Sequence, residues 1–238
     1  MIKVDRTDLR ADATRMNWWG ILVSFSYVFG FIGIAQILLR AERLSPSVTR
    51  KIVHIGVAHW WILAMIFFDR WHFAVVGPAA FIVINLASYL LRLFPAMEHE
   101  ERGRNLGTVY FPVALLICVL LTWGGPIPIW MGGLAMLVLG WGDGLASLVG
   151  EIQKNGRIRV FGNSKSIAGS CAMFAASAVV ALVFTLLFAA PSSGLLLGST
   201  VVTVLAVALV ATVVELVTPL GLDNLTVPIA TLLFVYLV

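Results

Sequence analysis

Eight apolar runs divide the chain, at residues 18–39, 52–68, 73–94, 109–123, 127–149, 167–190, 195–217 and 225–238. A crossing of the hydrocarbon layer takes about 20 residues of helix. Each run therefore predicts one membrane span; the second, fourth and eighth lie near the lower limit, so the total is seven to nine. Backbone groups in a bilayer must be satisfied within their own segment, which makes the spans helices. The pattern has none of the alternation of membrane strands. The predicted fold is all-α, a polytopic transmembrane helical bundle of about eight spans forming one domain over residues 1–238. Trp18, Trp19, Trp60, Trp61, Trp71, Trp123 and Trp130 cluster near the ends of runs, as an interfacial aromatic belt does. Pro126 with Pro128, and Pro191-Ser192-Ser193-Gly194, read as tight turns between antiparallel helices.

Composition supports this picture. Charged residues make up 12% of the chain, against about 25% in a soluble domain. The net charge of +4 matches the Lys/Arg excess of cytoplasmic loops and gives no footprint for nucleic acid. Residues 1–17 mix both signs and are not followed by a short cleavable apolar stretch, so they read as a segment ahead of the core. Cys118 and Cys171 lie in apolar runs, as small buried hydrophobes do. Of the 16 Lys and Arg, 11 fall in the first, third and fifth connecting loops. The positive-inside rule then puts those loops in the cytoplasm and the N-terminus outside. The polar clusters fall at the odd-numbered loops too, which predicts a single site at the cytoplasmic membrane face.

The sharpest cluster surrounds Asp143, within Gly142-Asp143-Gly144 and running on to Gly150. A carboxylate in hydrocarbon costs a few kcal/mol or more and marks a functional site by default. Glycines admit a ligand or another backbone closely. One or two carboxylates with nucleotide phosphates suit Mg²⁺, a role Asp143 can fill. Gly162-Asn163-Ser164-Lys165-Ser166 follows, and Gly169 opens the next run; this is not a Walker A loop, yet it offers a lysine and backbone N–H groups to phosphate. Arg50, Lys51 and His54 share one helix face, whereas His54 and His59 do not. An isolated Arg-Lys pair reads as a snorkelling anchor; the added histidine turns the reading toward chemistry. Glu98 to Thr108 reads as a solvated loop or, with Gly107 and the capping residue Thr108 at a helix start, as a phosphate site. Glu215 lies late in an apolar run, Pro219 and Gly221 turn the chain, and Asp223 or Asn224 can cap the last helix.

In this order the pieces Arg50-Lys51-Ile52-Val53-His54, Gly107-Thr108-Val109-Tyr110-Phe111, Gly142 to Gly150, Lys165 to Ser170, and Glu215 with Asp223-Asn224-Leu225-Thr226-Val227-Pro228 resemble the dolichol kinase and phytol kinase family. That family includes CTP-dependent diacylglycerol kinases and is related to phosphatidate cytidylyltransferases. The resemblance covers residues 50–228. It implies transfer of the γ-phosphoryl group of CTP to the hydroxyl of a membrane lipid alcohol, such as phytol, a polyprenol or dolichol, or diacylglycerol. By the same resemblance Arg50, Lys51, Asp143, Lys165, Glu215, Asp223 and Asn224 match motif positions. Asp143, with Asp223, then holds Mg²⁺; Arg50, Lys51 and Lys165 neutralise phosphate, and Glu215 or His54 orients or deprotonates the hydroxyl. Two rivals remain: a cytidylyltransferase, whose closing signature is replaced here by residues 223–228, and a transporter lined by Asp143 and Glu215.

Overall fold

The computed structural model describes residues 6–91, 106–153, 156–160, 163–189 and 197–238. Ten helices and one hairpin make up these residues. They are α1 (Arg6–Arg40), α2 (Pro46–Ala58), α3 (Trp60–Phe67), α4 (Trp71–Ala74), α5 (Val76–Leu91), α6 (Gly107–Thr122), α7 (Ile129–Ile152), β1 (Arg157–Val160), β2 (Asn163–Ser166), α8 (Ile167–Phe184, continued by a π turn Thr185–Ala189), α9 (Leu197–Val217) and α10 (Asp223–Leu237). The all-helical membrane bundle expected from the apolar runs is what forms. Five helical stretches are long and apolar enough to cross a bilayer: Thr14–Arg40, Trp71–Leu91, Ile129–Ile152, Ile167–Phe188 and Ser199–Val217. The other three runs depart from a full-length span. Gly107–Thr122 and Asp223–Leu237 have only 16 and 15 residues. The run 52–68 breaks at His59, whose Nδ1 donates to the Ile55 carbonyl (2.8 Å) while its Nε2 accepts from the Trp141 indole (3.2 Å).

Helix α7 is the axis. Its most apolar window is 72% buried, against 22–33% in the other four long helices, whose outer faces carry Leu, Val and Ile toward lipid. Glycines permit this central position. A Cβ at Gly140 would collide with Ala58 of α2, and one at Gly132 with the Trp61 ring. Small residues let membrane helices approach where no hydrophobic force drives them together. Trp61, fully buried, also donates its indole N–H to the Ile129 carbonyl (3.0 Å) and so ties α3 to the start of α7.

Local chemistry sets the ends of the elements around the polar end of the bundle. Ser45 caps α2 by accepting from Val48 N (3.3 Å), with Pro46 in the first helical position. The Ser47 hydroxyl meets Glu151 near the end of α7. Ser166 caps α8 by accepting from Gly169 N (2.9 Å). The hairpin was not anticipated: β1 and β2 pair antiparallel, with Arg157 opposite Ser166 and Ile158 opposite Lys165. Two expected caps are corrected. Leu106 holds the cap position of α6, with Thr108 inside the helix, and Leu222 holds that of α10, with Asp223 as its first residue; neither cap makes a side-chain bond. The α9–α10 turn explains the second, because Leu220 (φ 60°) and Gly221 (φ 76°) are both left-handed and start the helix one residue earlier. A non-glycine residue held there carries strain of about 1 kcal/mol or more and persists only where its surroundings demand it.

Gly140→Leu should wedge α2 from α7 and destabilise the bundle by about 1–3 kcal/mol. Thermal unfolding in detergent measures this, and an unchanged transition would contradict the close α2–α7 contact.

Candidate active site

Five elements deliver charged side chains to one end of the bundle. From α2, Lys51 Nζ donates to Asp143 Oδ2 of α7 at 2.8 Å, and His54 Nε2 lies 3.5 Å from the same oxygen. From β2, Lys165 Nζ donates to Glu215 of α9 and, at 3.1 Å, to Asp223 Oδ2 of α10. The hairpin explains how Lys165 reaches them: pairing with β1 turns the strand back over the bundle, directly before the α8 cap. Asp143, Glu215 and Asp223 are all under 8% exposed. Buried charge of this kind persists only when paired. Burial alone would lower the pKa of Lys165, but the carboxylates of Asp223 and Glu215 outweigh it and hold the ammonium above its ordinary value.

The three carboxylates form one group, each offering an oxygen within 4.8 Å of the others. Glu215 Oε2 is buried with no hydrogen-bond partner. Hard oxygen donors with one unshared lone-pair set fit a small divalent cation such as Mg²⁺.

Two cavities open beside this centre. A polar one lies between the end of α7, the hairpin and the start of α8, and its wall includes Ser147, Arg157, Ser164, Lys165 and Glu215. An apolar one runs between α1, α2, α5 and α6, with Val28, Val57, Phe111 and Leu115 in its wall and His54, Thr108 and Asn224 among its polar lining. Arg50 and Lys51 line both.

Of the residues singled out in the sequence, Arg50, Lys51, His54, Asp143, Lys165, Glu215 and Asp223 therefore meet at one end of the bundle. The glycines divide. Gly150 and Gly169 line the polar cavity. Gly142 faces Met173 and Ser177, and Gly144 faces Ile55, so these two serve helix packing. Gly107 and Thr108, read as a phosphate site, and Asn224, a matched motif position, border the apolar cavity. Asn224 Nδ2 donates to the Gly221 carbonyl (3.1 Å), bracing the left-handed turn. Glu98 to Asn105, with Arg102 and Arg104, and Gly162 lie outside the described residues. Asn85 was missed. It is 7% exposed, lines the apolar cavity, and donates from Nδ2 to the Thr108 carbonyl (2.7 Å) while its Oδ1 has no partner. An amide inside the run 73–94 was the signal.

Known proteins resolve what class of molecule carries this arrangement. No family model matches the chain. No solved structure matches it either. Curated proteins do: a phytol kinase of Synechocystis sp. is 31% identical over 229 residues, covering 92% of this chain and 91% of the relative. Phytol kinase 1, chloroplastic, of Arabidopsis thaliana is 32% identical, covering 84% of this chain and 69% of its own length. A probable phytol kinase 2, chloroplastic, of Glycine max is 30% identical, covering 88% and 71%. The bundle with its charged end is thus an integral-membrane phosphotransferase with an alcohol acceptor. More particularly, the chain belongs to the phytol kinase family.

Asp143→Asn keeps the side-chain volume but removes the charge that holds Lys51. It should leave a folded protein whose kinase turnover is lower by on the order of 10²–10³-fold, read by phosphorylation assay beside thermal unfolding. Wild-type turnover would remove Asp143 from the active site.

Proposed function

We propose that this chain transfers the γ-phosphoryl group of CTP to the hydroxyl of phytol or a similar isoprenoid alcohol, at the cytoplasmic face of its membrane-spanning helical bundle. The observation that carries the reading is that Arg50 and Lys51 line a polar and an apolar cavity at once, beside Asp143. A kinase of a lipid alcohol needs that junction, because its donor is a water-soluble polyanion and its acceptor is held in hydrocarbon.

Phosphoryl transfer asks little covalent work of a protein; it needs cations on the phosphates, an aligned acceptor and an exit for one proton. Lys165, Arg157 and Arg50 in or beside the polar cavity suit the phosphates of the donor. Asp143, Glu215 and Asp223 are the residues to hold Mg²⁺, which when bound screens charge on the transferred group. Lys51 has three N–H donors; one goes to Asp143, and the others are suited to the moving phosphoryl group.

The choice between His54 and Glu215 for the acceptor now favours His54. His54 lines the apolar cavity, with its Nε2 making no hydrogen bond and lying 3.5 Å from Asp143 Oδ2, whereas Glu215 lines the polar one. In the proposed step the alcohol oxygen bonds to the γ-phosphorus, the bond from that phosphorus to the β–γ bridging oxygen breaks, and CDP leaves. The hydroxyl proton goes to His54 Nε2. CTP as the donor rests on the family resemblance over residues 50–228, and the preference for γ-transfer over cytidylyl transfer on residues 223–228 together with Arg50-Lys51.

Incubation of the purified protein with phytol and CTP labelled at the γ-phosphate should put label into the lipid fraction and produce CDP. Label released as pyrophosphate, with cytidine in the lipid, would overturn this reading in favour of a cytidylyltransferase.

A further inference from the structure

We propose that the cavity between α1, α2, α5 and α6 is the seat of the acceptor's hydrocarbon tail, entered sideways from the bilayer through the seam of Phe25, Phe29 and Phe81. The proposal rests on the lipid-alcohol kinase reading and adds to it where the tail lies and how it enters.

The cavity has two different ends. Lys51, His54, Asn85 and Asn224 mark one, and Trp60 and Gly77 mark the other. Asn85 and Gly77 are eight residues apart on α5, which at 1.5 Å per residue sets a length of about 12 Å along the bundle. Its enclosed volume is about 100 Å³. Asn85 Oδ1 is a buried acceptor with no hydrogen-bond partner, and His54 Nε2 makes no hydrogen bond, its near neighbour being Asp143 Oδ2 at 3.5 Å; both residues line the cavity. An unmet acceptor in an apolar wall calls for a donor. An alcohol brings one O–H at the head of an apolar chain, and its oxygen in turn accepts from Lys51.

The seam supplies the way in. Phe25 stacks on Phe81 with ring centroids 5.7 Å apart, and Phe29 leans on the same ring at 5.6 Å, joining α1 to α5 by side chains. Phe25 and Phe81 face the cavity, while Phe29 is 43% exposed on the lipid side. Ring rotation therefore connects cavity and bilayer without moving a helix. A second apolar groove, lined by Leu137, Trp141, Val180 and His59, lacks a reactive end, because both ring nitrogens of His59 are already bonded.

The test uses the full-length protein in lipid nanodiscs. A Cβ at Gly77 meets Trp60 at an ordinary 3.7 Å, so Gly77→Leu fits the helix and sends its remaining atoms into the cavity. It should raise KM for a long-chain prenyl alcohol about tenfold while leaving the nucleotide KM unchanged. Independently, a prenyl alcohol bearing a diazirine at the tail, photolysed on the wild-type protein, should label α1 and α5 around Phe25 and Phe81. Label on the Leu137–Val180 groove, or an unchanged alcohol KM in a folded Gly77→Leu variant, would overturn the proposal. If the variant does not fold, the labelling decides. Cavity labelling in a protein that phosphorylates no lipid alcohol would leave the tail site standing and remove the kinase reading; phosphorylation with label elsewhere would do the reverse.

Discussion

Three carboxylates are buried in an apolar bundle, and two lysines from other elements hold them there. This pairing constrains everything else. A charge left alone in such surroundings costs several kcal/mol, so Asp143 requires α2 to lie close enough to bring Lys51 to 2.8 Å. That closeness requires glycine at position 140, where any side chain would strike Ala58. Glu215 and Asp223 in turn require Lys165, which requires the chain after α7 to fold back as a hairpin rather than run straight into α8. Asp223 stands beside Glu215 only because Leu220 and Gly221 take left-handed conformations between α9 and α10.

The same pairing separates two environments. On one side of Lys51 lie serines, arginine and the hairpin lysine; on the other lie phenylalanine, leucine and valine. An alcohol phosphotransferase in a membrane has to bring a polyanion and a hydrocarbon to one point while keeping each in its own medium. A charged pair buried at the boundary between the two cavities serves that need, and it explains why the charges sit at one end of the bundle rather than along a central path.

Much of this was legible in the residues. Asp143, Lys165, Glu215 and the Arg50–His54 face stand out because charge is rare in apolar runs, and their recurrence at the odd-numbered loops anticipated one shared end. Other features were hidden for physical reasons. Glycine serves close helix packing and ligand approach alike, so Gly142 and Gly144 looked like ligand contacts when they meet Met173 and Ile55. Gly107 and Thr108 begin a helix, which suggested phosphate, but which cavity a helix start faces is a tertiary property. Four-residue strands in a basic loop carry too little pattern to announce a hairpin. Asn85 was visible as a lone amide in an apolar run, and its importance appears only with the cavity it lines.

Lys51 lines both cavities at once, and in the proposed reaction it acts on both substrates. Two-substrate steady-state kinetics of Lys51→Met test it most directly, varying nucleotide and lipid alcohol independently. Weaker apparent binding of both substrates, together with a large fall in kcat, is expected in a protein that remains folded. A change confined to one substrate, with kcat preserved, would contradict it.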